Sequence, residues 1–84
     1  MMTPKQMINK AKYIKLGISN SDIWLSVKKK EVKEKLDKKI LNSNYFHLEE
    51  RDFGFILFID IKDLTRKGNN IIVKQQETIT LQYV

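Results

Sequence analysis

The chain has 84 residues, carries a net charge of +6 and contains no cysteine. This length suits a single domain, residues 1–84, and the lack of cysteine excludes disulfides, thiolate metal sites and cysteine nucleophiles. No apolar run approaches the roughly 20 residues of a membrane-spanning helix, and residues 1–5 lack the apolar segment of a signal peptide. We therefore expect a cytoplasmic protein with no membrane partner.

The excess positive charge lies in the N-terminal half. Residues 1–42 sum to +7, whereas residues 43–84 sum to −1. A basic half of this kind attracts a polyanion such as nucleic acid. Lys outnumbers Arg fourteen to two, which favours phosphate contacts over base readout, because bidentate Arg to guanine is the commonest specific contact. The frequent Lys, Ile and Asn indicate A/T-rich codons, typical of low-GC bacteria and their phages or mobile elements.

The N-terminal half contains two helix signals. Thr3 followed by Pro4 is typical of a helix start, and the apolar stripe that follows predicts a helix over residues 4–16 with Gly17 as its C-cap. The polar segment 19–22 predicts the start of a second helix that runs to about Leu41. Its apolar residues change face near residues 26–30, which indicates a bend or a division into two short helices. The helical, basic part is therefore expected over residues 3–42.

The C-terminal half has the two-residue apolar period of strands. Residues 45–49 alternate as in a strand with one exposed face, and a turn at residues 51–52 leads into residues 53–61. That segment is apolar on both faces, which favours a central strand covered by helices on one side. A polar loop over residues 62–70 and strands at 71–74 and 78–84 complete a β-sheet part over residues 44–84. The expected fold is α+β, with two or three N-terminal helices packed on a C-terminal antiparallel meander of three to four strands.

The segment over residues 13–23, with its turn Leu16-Gly17-Ile18, resembles the helix-turn-helix of DNA-binding regulators. In that family a tight turn that contains Gly sets the second helix into the major groove of DNA. The resemblance implies that residues 66–70 act like the wing of winged-helix proteins. A helical hairpin that covers a sheet, with Gly17 as an ordinary helix cap, explains the same segment without DNA. The resemblance also implies groove or phosphate contacts by five residues: Ser19, Asn20, Ser21, Lys28 and Lys29.

Nucleic-acid binding through the basic half is the favoured function, with contacts mainly to phosphates and no enzymatic activity. Glu and Asp spaced four residues from Lys offset part of the Lys surplus between residues 28 and 39. Unpaired charge is therefore expected on the first helix and at the bend. The residues predicted to bind nucleic acid are Lys12, Lys15, Ser19, Asn20, Ser21, Lys28, Lys29, Lys30, Lys33, Arg66 and Lys67.

A protein-binding module, such as an inhibitor of a host protein or a dimerising regulator, is the alternative function. Trp24 stands off the main apolar stripe of its predicted helix, so it serves either a second core face or an interface. An exposed sheet edge offers a further docking element, and a homodimer is one form that such pairing takes.

Aromatic residues on the predicted strands could stack nucleobases if the sheet exposes them. Phe53 and Phe55 share a face with Leu57 and Ile59, which favours a packed core for these two rings instead. The aromatic residues in this part of the chain are Tyr45, Phe46, Phe53, Phe55 and Phe58.

Residue patterns for catalysis are weak in this chain. His47 is the single histidine, and spacing sets no partner for acid–base or metal chemistry beside it. Asp52, Asp60 and Lys62 invite comparison with metal-dependent nucleases, but the two carboxylates should lie at opposite ends of a strand, too far apart for one Mg²⁺. We expect no catalytic residue, metal or cofactor. A third hypothesis is a metal-independent ribonuclease toxin of the interferase type. The residues that could stabilise the charge of its phosphorane transition state are Arg51, Arg66 and Tyr83.

Overall fold

The computed structural model describes residues 2–18, 22–35, 45–74 and 77–81. The expected fold of helices packed on a C-terminal meander is wrong, because these ranges form mostly sheet, with one sheet of four strands and one of three. The helices are short, at seven residues each. The elements in chain order are α1 (Pro4–Lys10), β1 (Tyr13–Ile18), β2 (Trp24–Val27), α2 (Lys29–Lys35), β3 (Tyr45–Arg51), β4 (Gly54–Ile61), β5 (Leu64–Lys67), β6 (Asn70–Val73) and β7 (Glu77–Thr80).

The N-terminal helix begins where the sequence predicts it. The Thr3 side chain accepts a hydrogen bond from the backbone N–H of Gln6 at 3.2 Å, and the Gln6 side-chain oxygen accepts one from the N–H of Thr3 at 2.9 Å. These reciprocal bonds, with proline at the first helical position, stabilise the start of α1. The predicted end near residue 16 is wrong. The helix stops at Lys10, and Lys12 donates its N–H to the carbonyl oxygen of Phe55 at 2.8 Å.

The chain enters the four-stranded sheet directly after α1. The strand order is β2-β1-β4-β3, with β1 and β4 parallel and the two outer pairs antiparallel. Ile14 and Leu16 are fully buried in the core, whereas Tyr13 and Lys15 alternate with them on the opposite face. Residues 13–18, predicted to be the end of a helix and its turn, therefore follow the two-residue period of a strand.

The predicted second helix is divided between a strand and a helix. Residues 24–27 form β2, which pairs with β1 as an antiparallel hairpin, and α2 begins only at Lys29. The change of apolar face expected near residues 26–30 is thus the boundary between a strand and a helix. Val32 is the buried residue of α2. The predicted helix end near Leu41 lies outside the described residues.

The strands predicted from residue 45 onwards are confirmed as far as Ile61. β3 and β4 form an antiparallel hairpin with Asp52 and Phe53 in its turn. β4 pairs on both sides, as its two apolar faces predict. Helices do not supply most of the buried side chains in the core cluster that contains β4. That cluster draws more side chains from the second sheet and the bridge residue after it than from the helices. The former are Leu64, Ile71, Val73, Ile79 and Leu81, and the latter are Ile8 and Val32.

The second sheet has the order β5-β6-β7, and both pairs are antiparallel. The predicted loop over residues 62–70 is wrong in part, because β5 occupies residues 64–67 and a two-residue turn, Gly68-Asn69, joins it to β6. Gly68 has a φ of 61°, in the left-handed region that glycine adopts without strain. The predicted strand at 71–74 matches β6, and the one predicted from residue 78 matches β7.

Helix α2 covers the outer edge of β7. The Glu31 carboxylate accepts a hydrogen bond from the Thr80 N–H at 2.9 Å. The Lys35 ammonium donates one to the Thr78 carbonyl oxygen at 2.8 Å. Because these side chains satisfy backbone groups that would otherwise be open to pairing, α2 protects this edge from another strand.

One cluster of buried side chains joins the two sheets, and a bridge between Val27 and Leu81 connects the end of β2 to the residue after β7. Ile14, Leu57 and Ile71 are examples of side chains with no exposed surface in this cluster. Since the inner face of the four-stranded sheet is used for the core, its outer face is the one that meets solvent.

Candidate nucleic-acid interface

The outer face of the four-stranded sheet carries a set of ring side chains. In the strand register Lys15 is opposite Phe58, and Phe58 is opposite His47, so these residues share one face. The neighbouring row on that face consists of Trp24 on β2, Gly17 on β1, Asp60 on β4 and Tyr45 on β3. We call the ring-bearing surface the aromatic face, and its residues are Tyr13, Trp24, Tyr45, His47 and Phe58.

Trp24 lies across β1 and reaches a ring on β4. Its ring centroid is 5.1 Å from that of Phe58, with the planes at 81°, an edge-to-face contact. The two residues stand two strands apart, about 10 Å at the usual strand spacing. Gly17 makes the contact feasible, because a Cβ atom at that position would lie 2.7 Å from Cζ3 of the indole. The glycine predicted to cap a helix therefore gives the indole its place on the sheet.

The row of rings continues from Phe58 onto β3. The centroids of His47 and Phe58 are 6.3 Å apart, and those of His47 and Tyr45 are 6.2 Å apart with nearly parallel planes. Trp24 is 38% exposed and Tyr45 is 59% exposed. Large exposed aromatic side chains in one patch are typical of an interaction surface.

A second pair of rings extends the aromatic face toward the β3–β4 turn. Tyr13 and Phe53 meet edge to face with centroids 5.2 Å apart, and the Lys12 ammonium lies 5.9 Å from the Tyr13 ring centroid. Phe53 is 47% exposed, so the prediction of a packed core position for it is wrong. Phe55 is half-buried, with the Lys10 ammonium 4.6 Å from its ring centroid.

Lysines gather at one end of the β1–β2 hairpin. Ile14 pairs with Val27, so the residues just before β1 and just after β2 lie side by side. The Lys29 ammonium donates to the Asn9 carbonyl oxygen at 2.9 Å, which holds the start of α2 against the end of α1. We call this cluster the basic end, and its residues are Lys10, Lys12, Lys28, Lys29 and Lys30.

Two acidic side chains share the aromatic face, since Asp60 is opposite Gly17 and Tyr45 in the register and Glu49 is two residues from His47 on β3. Glu49 on β3 accepts a hydrogen bond from His47 Nε2 at 3.0 Å and forms an ion pair with Arg51. Burial alone raises the pKa of Glu49, but the hydrogen bonds from His47 and Arg51, together with their charges, outweigh it and lower the pKa. Farther along, at the end of the sheet opposite the basic end, Asp60 and Lys62 lie with Asp22 and Asp63. Positive charge therefore gathers at the open end of the β1–β2 hairpin, whereas the cross-strand row of Trp24 and Tyr45 contains Asp60.

The predicted binding residues are brought together in part. Lys15 is half-buried on the aromatic face, Lys33 is exposed on α2 and Trp24 belongs to the row of rings. Arg66 and Lys67 lie on β5 in the other sheet, where Arg66 Nε donates to the Gly68 carbonyl oxygen at 3.3 Å. Four of the predicted residues belong to the basic end: Lys12, Lys28, Lys29 and Lys30. Three others lie outside the described residues: Ser19, Asn20 and Ser21.

The helix-turn-helix prediction is wrong, because the segments that would be its two helices are strands β1 and β2 of one hairpin. A wing at residues 66–70 loses its basis with it. Sequence reasoning did not assign Tyr13 to the site, or place Tyr45, His47 and Phe58 together in it. The alternation of Tyr45 and His47 on the exposed side of their predicted strand was the available signal.

The described residues include no group of three or more His, Cys, Asp or Glu side chains placed to hold a metal ion. Asp52 lies in the turn before β4 and Asp60 near its other end, so the expected separation of these carboxylates is confirmed. Tyr83, a candidate residue under the ribonuclease hypothesis, lies outside the described residues. Neither α1 nor α2 has the length and apolar character to cross a membrane.

Comparisons with protein-family models, with curated proteins and with solved structures give no significant match to this chain.

Proposed function

We propose that this protein binds nucleic acid, without acting on it chemically, through the aromatic face and the basic end. The observation that carries this proposal is the continuous series of ring contacts from Trp24 through Phe58 and His47 to Tyr45, with Lys15 on the same face and the basic end at the open end of the β1–β2 hairpin. Aromatic rings stack on nucleobases, and Lys ammonium groups neutralise phosphates. The proposed partner is nucleic acid in the cytoplasm, and the absence of cysteine supports that compartment.

The chain's charge supports the same function. Its net charge is +6, and the basic end contributes five lysines at one place. If four of them each neutralise one phosphate, the logarithm of the association constant falls by about 3 for a tenfold rise in salt. Between about 50 and 200 mM salt, the affinity should then fall about 60-fold.

Charge reversal in the basic end tests the proposal. Lys28→Glu should weaken binding of a labelled oligonucleotide of about a dozen nucleotides and reduce the salt slope by about 1, measured by fluorescence anisotropy. Lys67→Glu makes the same change of charge on β5 and is the matched control, which should bind almost as wild type does. Equal weakening by both variants would show attraction by net charge alone, and binding by neither variant nor wild type would refute the proposal.

A protein partner is the second candidate function, and the position of β3 favours it. In the order β2-β1-β4-β3, β3 is the last described strand of its sheet, and it carries the exposed Tyr45. A strand at a sheet edge pairs with an extended segment of another chain, including a second copy of the same chain. Self-association that persists at high salt, measured by light scattering without nucleic acid, would support this candidate.

A further inference from the structure

We infer that the nucleic acid bound at this surface is single stranded, with unpaired bases stacked on the row of rings between Trp24 and Tyr45. This ligand class rests on the proposed function and narrows it. A base presents its flat face to a protein ring only when it is unpaired and unstacked, whereas a duplex presents base edges in its grooves. The described rings offer stacking partners on four strands of the sheet. Side chains that read base edges are scarce there, because Arg51 is the single Arg on that sheet.

The width of the sheet excludes the major groove of a duplex. Three inter-strand spacings of about 4.8 Å separate the outer strands β2 and β3 by about 14 Å, before side chains are counted. The major groove of B-form DNA is about 12 Å wide and admits a helix or a two-stranded ribbon. Of the described helices, α2 is used against the edge of β7, where Glu31 and Lys35 bind the backbone.

Charge gives the bound strand a direction across the sheet. Phosphates are attracted to the basic end and are repelled where Asp22, Asp60 and Asp63 outnumber Lys62. Lys15 lies between these ends, in register with Phe58. The sugar–phosphate backbone should therefore pass over the basic end and Lys15, with bases directed toward Phe58 and His47 and, beyond them, toward Trp24 and Tyr45 in the row of Asp60.

Trp24 gives a direct readout of stacking, since it is the single Trp of the chain. The experiment compares one sequence as single-stranded DNA, as single-stranded RNA and as the DNA duplex, at the same salt concentration, by anisotropy and by quenching of Trp fluorescence. We expect both single strands to quench Trp24, and at least one of them to bind about ten times more tightly than the duplex. The DNA and RNA arms show which sugar the surface prefers.

Variants on both ends of the ring row keep the inference testable. Tyr45→Ala removes an exposed ring, and Trp24→Ala removes the other terminal ring; each should weaken single-strand binding about 5- to 150-fold. Trp24→Phe should retain most of the affinity, and circular dichroism checks that each variant is folded. Tyr45→Ala serves if Trp24→Ala does not fold.

The outcomes separate this inference from the proposed function. Duplex binding equal to single-strand binding, lost in Lys28→Glu but unaffected by Tyr45→Ala, would overturn the single-strand assignment and leave nucleic-acid binding in place. No binding of any of the three nucleic acids would overturn both. Salt-independent self-association in place of nucleic-acid binding would also overturn both and favour the protein partner.

Discussion

Replacing Gly17 by alanine changes the position of Trp24 without demanding a new backbone conformation. The added Cβ would lie 2.7 Å from Cζ3 of the indole, 3.0 Å from Cη2 and 3.1 Å from Cε3. Non-bonded carbon atoms rest at about 3.5–4.0 Å, so the nearest indole carbon has to retreat by about 0.8–1.3 Å or the side chain has to change rotamer. Both responses weaken its edge-to-face contact with Phe58.

The effect of Gly17→Ala on stability should be small because two terms oppose each other. Alanine stabilises a strand relative to glycine by about 0.5–1 kcal/mol. Loss of the contact between Trp24 and Phe58 costs about 0.5–1.5 kcal/mol. The free energy of unfolding should therefore change by about 1 kcal/mol or less, while single-strand affinity falls about 5-fold or more because a displaced indole stacks poorly.

Trp fluorescence with urea unfolding measures both consequences of Gly17→Ala. The emission of Trp24 should shift, while circular dichroism and the unfolding midpoint stay close to those of the wild type. Gly68→Ala is the contrasting control, since Gly68 has a φ of 61° and open space around it. That variant should lose about 0.5–1 kcal/mol or more through backbone strain and leave the Trp24 emission unchanged. Unchanged emission and affinity in Gly17→Ala would refute the placement of the indole across β1.

Two further predictions concern stability. Glu31→Ala should lower the free energy of unfolding by about 1.5–3 kcal/mol, because the Thr80 N–H loses a charged acceptor, whereas Glu34→Ala on the exposed side of α2 should change it by less than about 0.5 kcal/mol; similar losses in urea unfolding would contradict the role of Glu31. The folded pKa of Glu49 is lowered from 4.5, so its stabilising contribution is complete above that pH and is lost as the pH falls through the lowered value. Thermal unfolding of Glu49→Gln should therefore lose less stability on acidification than wild type, and equal losses would argue against the lowered pKa.

Local signals predicted some elements well. The Thr3 cap depends on contacts within four residues, and the hairpin of β3 and β4 depends on alternation around one turn. Such elements are encoded in short stretches of chain, so a single sequence carries the necessary information. The central position of β4 followed from its apolar faces for the same reason.

The segment over residues 13–18 shows why the remaining predictions were wrong. Ile14 continues a three- and four-residue spacing from Ile8 and Ala11, and it also begins an alternation with Leu16 and Ile18. Both patterns bury the same side chain, so local sequence does not separate helix from strand. The parallel pairing with β4, between residues 43 positions apart such as Ile14 and Leu57, resolves the ambiguity in favour of a strand.

By itself, the sequence determined the helix start at Thr3, the strands β3, β4, β6 and β7, and the concentration of positive charge in the first half. These properties depend on capping, alternation and composition, which act within a few residues or need no geometry. Tertiary structure alone decided that residues 13–18 and 24–27 are strands and that rings from four strands form one surface. Both results come from pairing between distant segments, because strand order and register place Tyr13, Trp24, Tyr45 and Phe58 side by side.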